Sequence, residues 1–217
     1  MNDSPFQVPF AALPDTLAVF PLTGTTLLPG QQLPLNIFEP RYLAMVLDTL
    51  KSDRLIGMVQ PQVVAAADTP SLYQTGCAGR ISTFQEAEGG RLVVILSGVC
   101  RFRVEMELET CNGYRRVRPD WSGFAHDMQD EAQIDESLET LRASLEAYAA
   151  TNQIELPWES LETLELGTVV DLVSMQFPFE AQLKQALLEA PDHSERLGIL
   201  KAALAMDSVS GSDSARH

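Results

Sequence analysis

The sequence predicts an α+β chain: a small, partly closed β barrel with one helix inserted after its second strand, followed by a helical bundle. Three observations carry that expectation. Short apolar runs punctuated by Gly and Pro fill residues 17–61. A strict two-residue alternation runs from Cys100 to Glu109. After Gly123 the apolar repeat changes to steps of three and four. The 217 residues divide accordingly into a barrel at 1–122, an acidic helical part at 123–207 and a flexible polar tail at 208–217.

Each element has a local reason. Residues 17–22 are an apolar run of strand length closed by Pro21 and Gly24, and residues 32–38 extend after the turn signal Pro29-Gly30. Pro40 suits a first helical turn, where its missing N–H costs nothing. Leu43, Val46, Leu47 and Leu50 then follow at helical spacing. Residues 55–60 return as a strand, and residues 62–75 read as a connector. Residues 77–86 and 91–97 flank a hairpin loop at Gly89-Gly90. From residue 100, Cys100, Phe102, Val104, Met106 and Leu108 form an apolar face. Arg101, Arg103, Glu105, Glu107 and Glu109 form a charged, solvated one. Asn112-Gly113 turns into a last strand over residues 114–119.

In the second part, Ile134, Leu138, Leu141, Leu145 and Tyr148 line one side of a helix of about four turns. A second helical region over residues 161–175 is bent or weakened at Gly167, and residues 180–188 form a short helix after Phe177-Pro178-Phe179. Asp192 with Glu195 is a capping-box pair opening a last helix.

Charge narrows the function classes. The chain carries a net −15, of which −2 falls in residues 1–122 and −13 in 123–217. A field this negative repels phosphate backbones and argues against a general nucleic-acid binder. No apolar run has membrane-spanning length and no secretory leader is visible at the N-terminus. Cys77, Cys100 and Cys111, without CxxC spacing, read as reduced, mostly buried thiols of a cytoplasmic protein. His126, His193 and His217 have no metal-ligand spacing, so no metal and no cofactor is expected. Lys51, Lys184 and Lys201 each follow a leucine, which leaves no phosphate-binding loop.

The order of these pieces resembles the N-terminal substrate-recognition domain of the ATP-dependent Lon proteases. The matching residues are the opening LAVFPLTGTTLLPGQQLPLNIFEPRY, then Ile56-Gly57-Met58-Val59, Gly76-Cys77-Ala78-Gly79-Arg80-Ile81, and LVVILSGVCRFRV with its Gly-x-x-Arg-Phe spacing. Leu187-Leu188-Glu189-Ala190 with Arg196-Leu197 resembles that domain's end. The resemblance implies a PUA-like pseudo-barrel followed by a helical bundle, standing alone here without ATPase or peptidase. It also implies a non-catalytic module for recognising proteins and peptides. The implied partners are unfolded or tagged protein segments, with a separate protease as a further candidate.

The junction Phe38-Glu39-Pro40-Arg41-Tyr42 supplies the candidate peptide-binding residues Phe38, Glu39, Arg41 and Tyr42. Glu39 and Arg41 offer charged hydrogen bonds, and Phe38 or Tyr42 an aromatic contact. The alternative is structural: Glu39 on the helix dipole, Arg41 in a local pair, and both rings packed into the barrel. Two other function classes stay open. One is a small hydrolase with an unrecognised pocket. The other is a PUA-like RNA binder using Arg115, Arg116 and Arg118, which requires those arginines to converge on one face.

Overall fold

The computed structural model describes residues 8–62, 70–129 and 134–214, with side chains described as far as residue 206. Half of the expected connector at residues 62–75, residues 63–69, therefore lies outside the described residues. The chain divides into two compact units, Met1–Asp130 and Glu131–His217.

In the first unit, β1 (Leu17–Pro21), β2 (Gln32–Ile37), α1 (Pro40–Leu50) and β3 (Leu55–Val59) follow in order. They are succeeded by β4 (Thr75–Ala87), β5 (Arg91–Cys111) and β6 (Tyr114–Asp120). The sheet order is β2-β5-β4-β3-β1-β6, and β6 pairs back onto β5. Five strands thus close into a barrel, and β2 lies outside it along the first half of β5. β1 and β3 run parallel, which two strands of one sheet achieve only through a crossover, here β2 plus α1.

β5 is one 21-residue strand, where the sequence suggested a strand to Ser97 and another from Cys100. Gly98 explains the continuity. A Cβ there would stand 2.0 Å from the Leu28 carbonyl oxygen. The Gly30 N–H donates to the Gly98 carbonyl at 3.0 Å, and the Gly98 N–H donates to Gln31 at 2.8 Å. The Leu-Pro-Gly loop before β2 is therefore sealed main chain to main chain on β5 instead of breaking it. Phe102, fully buried, fills the barrel beside Leu17, Leu55, Val59 and Val117. Gly57 and Gly76 make room for its ring, since a Cβ on either would meet it at 2.8 and 2.7 Å.

α1 also differs from its expected face. Tyr42, Met45, Val46 and Thr49 are buried, whereas Leu47 is exposed. Two contacts set this rotation. Tyr42 packs on Phe20 of β1 with centroids 4.2 Å apart. On the outer side, Asp48 accepts hydrogen bonds from Asn112 (2.8 Å) and Tyr114 (3.3 Å) at the β5–β6 turn.

The second unit contains α2 (Glu139–Thr151), α3 (Trp158–Leu161), α4 (Leu166–Gln176), α5 (Ala181–Glu189) and α6 (His193–Ser214). The anticipated break near Gly167 falls just before it, because α3 and α4 are separate and Gly167 belongs to the first turn of α4. The Glu195 N–H donates to Asp192 at 2.9 Å, the N-cap half of the expected capping box. α6 carries helical backbone into the segment anticipated as a tail. Leu141, Leu145, Tyr148, Val169, Val173, Phe177, Leu197 and Leu200 form the core of this unit.

Candidate functional site

The junction between β2 and α1 presents two of its candidate side chains in one geometry and hides another. Phe38 follows the last residue of β2 and is 64% exposed. Glu39 is the N-cap residue of α1, and its side chain makes no cap hydrogen bond. Its main-chain carbonyl accepts the N–H groups of Tyr42 and Leu43, both at 2.9 Å, while its carboxylate turns to Arg41. The Arg41 Nε donates to Glu39 Oε2 at 2.9 Å, with a second guanidinium nitrogen 2.8 Å away. The guanidinium lies 4.5 Å from the centre of the Tyr42 ring, within the range of a cation–π contact. Tyr42 is only 7% exposed, so it forms the platform beneath Arg41 instead of the contact surface. Burial raises its phenol pKa, partly opposed by the adjacent Arg41 charge.

The support beneath this rim was not visible in the sequence. Gly113 at the β5–β6 turn, with φ +84°, would place a Cβ 3.3 Å from the Arg41 Cβ. The same turn holds Asp48, whose carboxyl pKa is lowered chiefly by the Asn112 hydrogen bond. The exposed rim thus stands on a helix fastened at both faces.

A second polar construction was missed outright. Arg101, expected on the solvated face of its strand, is 1% exposed. Its guanidinium donates to both Asp127 carboxylate oxygens, at 2.6 to 3.1 Å, and its main-chain N–H donates to Oδ2 at 2.8 Å. Asp127 belongs to a short 3-10 segment, Ser122–Met128, which lies on β5. Arg101 also contacts His126 Nε2 at 3.1 Å and lies over the Phe124 ring at 5.1 Å. The period-2 rule fails here because the fold brings a specific counter-ion over this one position.

The remaining candidates for chemistry are occupied structurally. Cys77 and Cys100 are buried, which raises both thiols, Cys100 to about 12; thiols held protonated in this way are poor nucleophiles. Asp171 of α4 meets Arg196 at 2.7 Å and His193 at 3.1 Å, and Arg196 also donates to the Leu187 carbonyl at 2.9 Å. This cluster joins α4, α5 and α6. Lys184 is buried, donates to the Met175 carbonyl at 2.7 Å and has its amine pKa lowered by desolvation.

Two of the three arginines of β6 are engaged in local contacts, and Arg118 is exposed. Arg115 holds Glu107 and the Pro70 carbonyl, whereas Arg116 holds the Glu109 carbonyl. Among the described residues no group of three or more His, Cys, Asp or Glu is placed to hold a metal ion. No described helix is long and apolar enough to cross a membrane.

The sequence profile of the ATP-dependent protease La (LON) substrate-binding domain matches residues 16–204. Lon protease 2 of Myxococcus xanthus is 26% identical over 197 residues, which cover 87% of this chain and 23% of that protein. Lon protease 2 of Sorangium cellulosum is 28% identical over 204 residues, covering 87% and 24%. The chain therefore spans about a quarter of the length of these relatives. Among solved structures, a Lon N-terminal domain protein from Xanthomonas campestris superposes with a TM-score of 0.57 at 26% identity. It covers 86% of this chain and 97% of its own. The N-terminal domain of a Mycobacterium avium complex Lon protease has the same TM-score at 15% identity, a likeness of fold alone, covering 88% and 98%.

Proposed function

Because this chain belongs to the family of LON substrate-binding domains, we propose that it is a non-catalytic module that binds unfolded or tagged protein segments. The observation that carries the reading is the exposed Phe38 next to the Glu39–Arg41 pair, whose arginine lies over the buried Tyr42 ring packed on Phe20. An aromatic ring this exposed gives an apolar side chain of a client somewhere to bury itself. Glu39 and Arg41 beside it supply polar contacts that orient the client main chain. Tyr42 positions Arg41.

Delivery of clients to a separate protease is consistent with this reading. The free thiols of Cys77 and Cys100 support a reducing, cytoplasmic compartment. Arg115 and Arg116 are committed to Glu107 and the Glu109 carbonyl, which does not favour RNA, and the raised thiol pKa values do not favour a cysteine nucleophile.

The test is titration of the full chain with a labelled, reduced and carboxymethylated client protein. Phe38→Ala and Arg41→Ala are expected to weaken binding, Phe38→Ala by about tenfold or more, as for a truncated interface anchor. Both sites are exposed, so both variants should melt like the parent. Unchanged affinity in two folded variants would remove this rim from the binding surface. No binding by the parent would remove the recognition reading itself.

A further inference from the structure

The three-stranded arm made by β2, the first half of β5 and the second half of β4 has two outer edges. β2 is one, because β5 is its single strand neighbour among the described residues. β4 beyond Arg80 is the other. β3 accompanies β4 across Cys77 to Arg80, and the Ile81 N–H donates to Arg54 at 2.8 Å as the last rung. β5 continues beside β4 as far as Ala87. Over residues 83–87, the main-chain groups that face away from β5 therefore meet no strand among the described residues.

Folded chains blunt such edges with proline, charge or a bulge. β2 carries Pro34 at its centre. β4 has a register shift between Ile81 and Thr83, followed by exposed backbone without proline. Residues 82–86 are all exposed, and Phe84 among them is 55% exposed. An unpaired edge of this length, bearing an aromatic side chain, is a template for one added strand.

Charge decides what that strand is. Glu86 lies near the end of the edge and Glu88 follows in the turn; neither carboxylate is in an ion pair among the described residues. A second copy of this chain would bring together two molecules of net −15, which is unfavourable. We infer that the outer edge of β4, residues 83–87, takes an extended basic segment of another protein as an added strand. Lys or Arg lies against Glu86 and Glu88, and an apolar side chain against Phe84. This rests on the recognition-module reading and names the class of segment preferred.

Amide hydrogen exchange of the full chain at low salt tests it, with an alternating Lys-Val octapeptide and a matched Glu-Val octapeptide as probes. With the Lys-Val peptide at about ten times its dissociation constant, protection across residues 83–87 rises about tenfold. The Glu-Val peptide leaves it unchanged. The paired substitution Glu86→Lys with Glu88→Lys weakens Lys-Val binding by about fivefold or more, while exchange along β5 reports an intact fold. Protection appearing elsewhere, equal binding of the two peptides, or peptide-free protection that grows with protein concentration would each overturn the inference. If the carboxymethylated client still binds while these amides stay unprotected, the inference falls and the recognition reading stands. If neither binds, both fall.

Discussion

Single residues in this chain matter most where two segments meet without room for error. Gly98 admits the Leu28 carbonyl, and three residues later Arg101 takes Asp127 out of solvent. The Gly-x-x-Arg-Phe spacing is thus a packing device: a main-chain seal at Gly98, a buried ion pair at Arg101 and a core ring at Phe102. Removing one member of such a pair strands the other in a low-dielectric site. Asp127→Ala is expected to cost about 3–5 kcal/mol of unfolding free energy in denaturant titration. The double change Arg101→Met with Asp127→Leu should recover only part of that loss, since an apolar replacement of the pair still leaves the Arg101 main-chain N–H without its Asp127 acceptor. A loss below about 1 kcal/mol for Asp127→Ala, the range of exposed pairs, would contradict the burial of the pair.

At the scale of elements, end signals in the helical unit were largely local. Asp192 caps α6 as its spacing with Glu195 indicated. The end of α2 follows a different rule. Gln153 has φ +56°. The Ile154 N–H reaches back to Ala149 at 2.8 Å, the six-to-one bond of a Schellman motif. That position favours glycine, because a Cβ is strained at positive φ. Gln153→Gly is therefore expected to stabilise the chain by about 1 kcal/mol, read as a raised melting temperature. A lowered melting temperature would mean that the glutamine side chain does more than occupy the turn. The rotation of α1 is a contrasting case. Its leucines suggested one buried stripe, but Phe20 on one side and the Asn112–Tyr114 pair on the other turn Tyr42 inward and Leu47 outward.

For the whole molecule, the dominant fact is a net charge of −15 carried mostly by the helical part. Many of the cations are already committed. Arg196 pairs with Asp171, Lys201 with Glu136, and Arg142 with Glu139 and Glu162. The acidic excess therefore repels itself, and screening should relieve it. Raising sodium chloride from about 10 to about 300 mM is expected to raise the melting temperature, because the Debye length falls from about 30 Å to below 8 Å. A melting temperature that falls would show that the exposed ion pairs outweigh the repulsion.

The sequence by itself determined the order of the elements, the change from a two-residue to a helical period, and the kinship carried by the spacing of LLPG, FEPRY and Gly-x-x-Arg-Phe. These are local patterns, and the backbone periods of strand and helix translate them directly. It also marked the junction at Phe38–Tyr42 as the candidate rim. Only the tertiary structure decided which side chains of that rim face solvent. Tyr42 is buried because Phe20 of β1 meets its ring, and Arg41 is held there by Glu39 and that ring. Only closure of the barrel could bury Arg101 against a carboxylate 26 residues away, join β5 across Gly98, and leave the outer edge of the second half of β4 without a strand among the described residues. Periodicity records which face an element prefers to bury. What covers that face, and which edge stays open, depends on contacts between residues far apart in the chain.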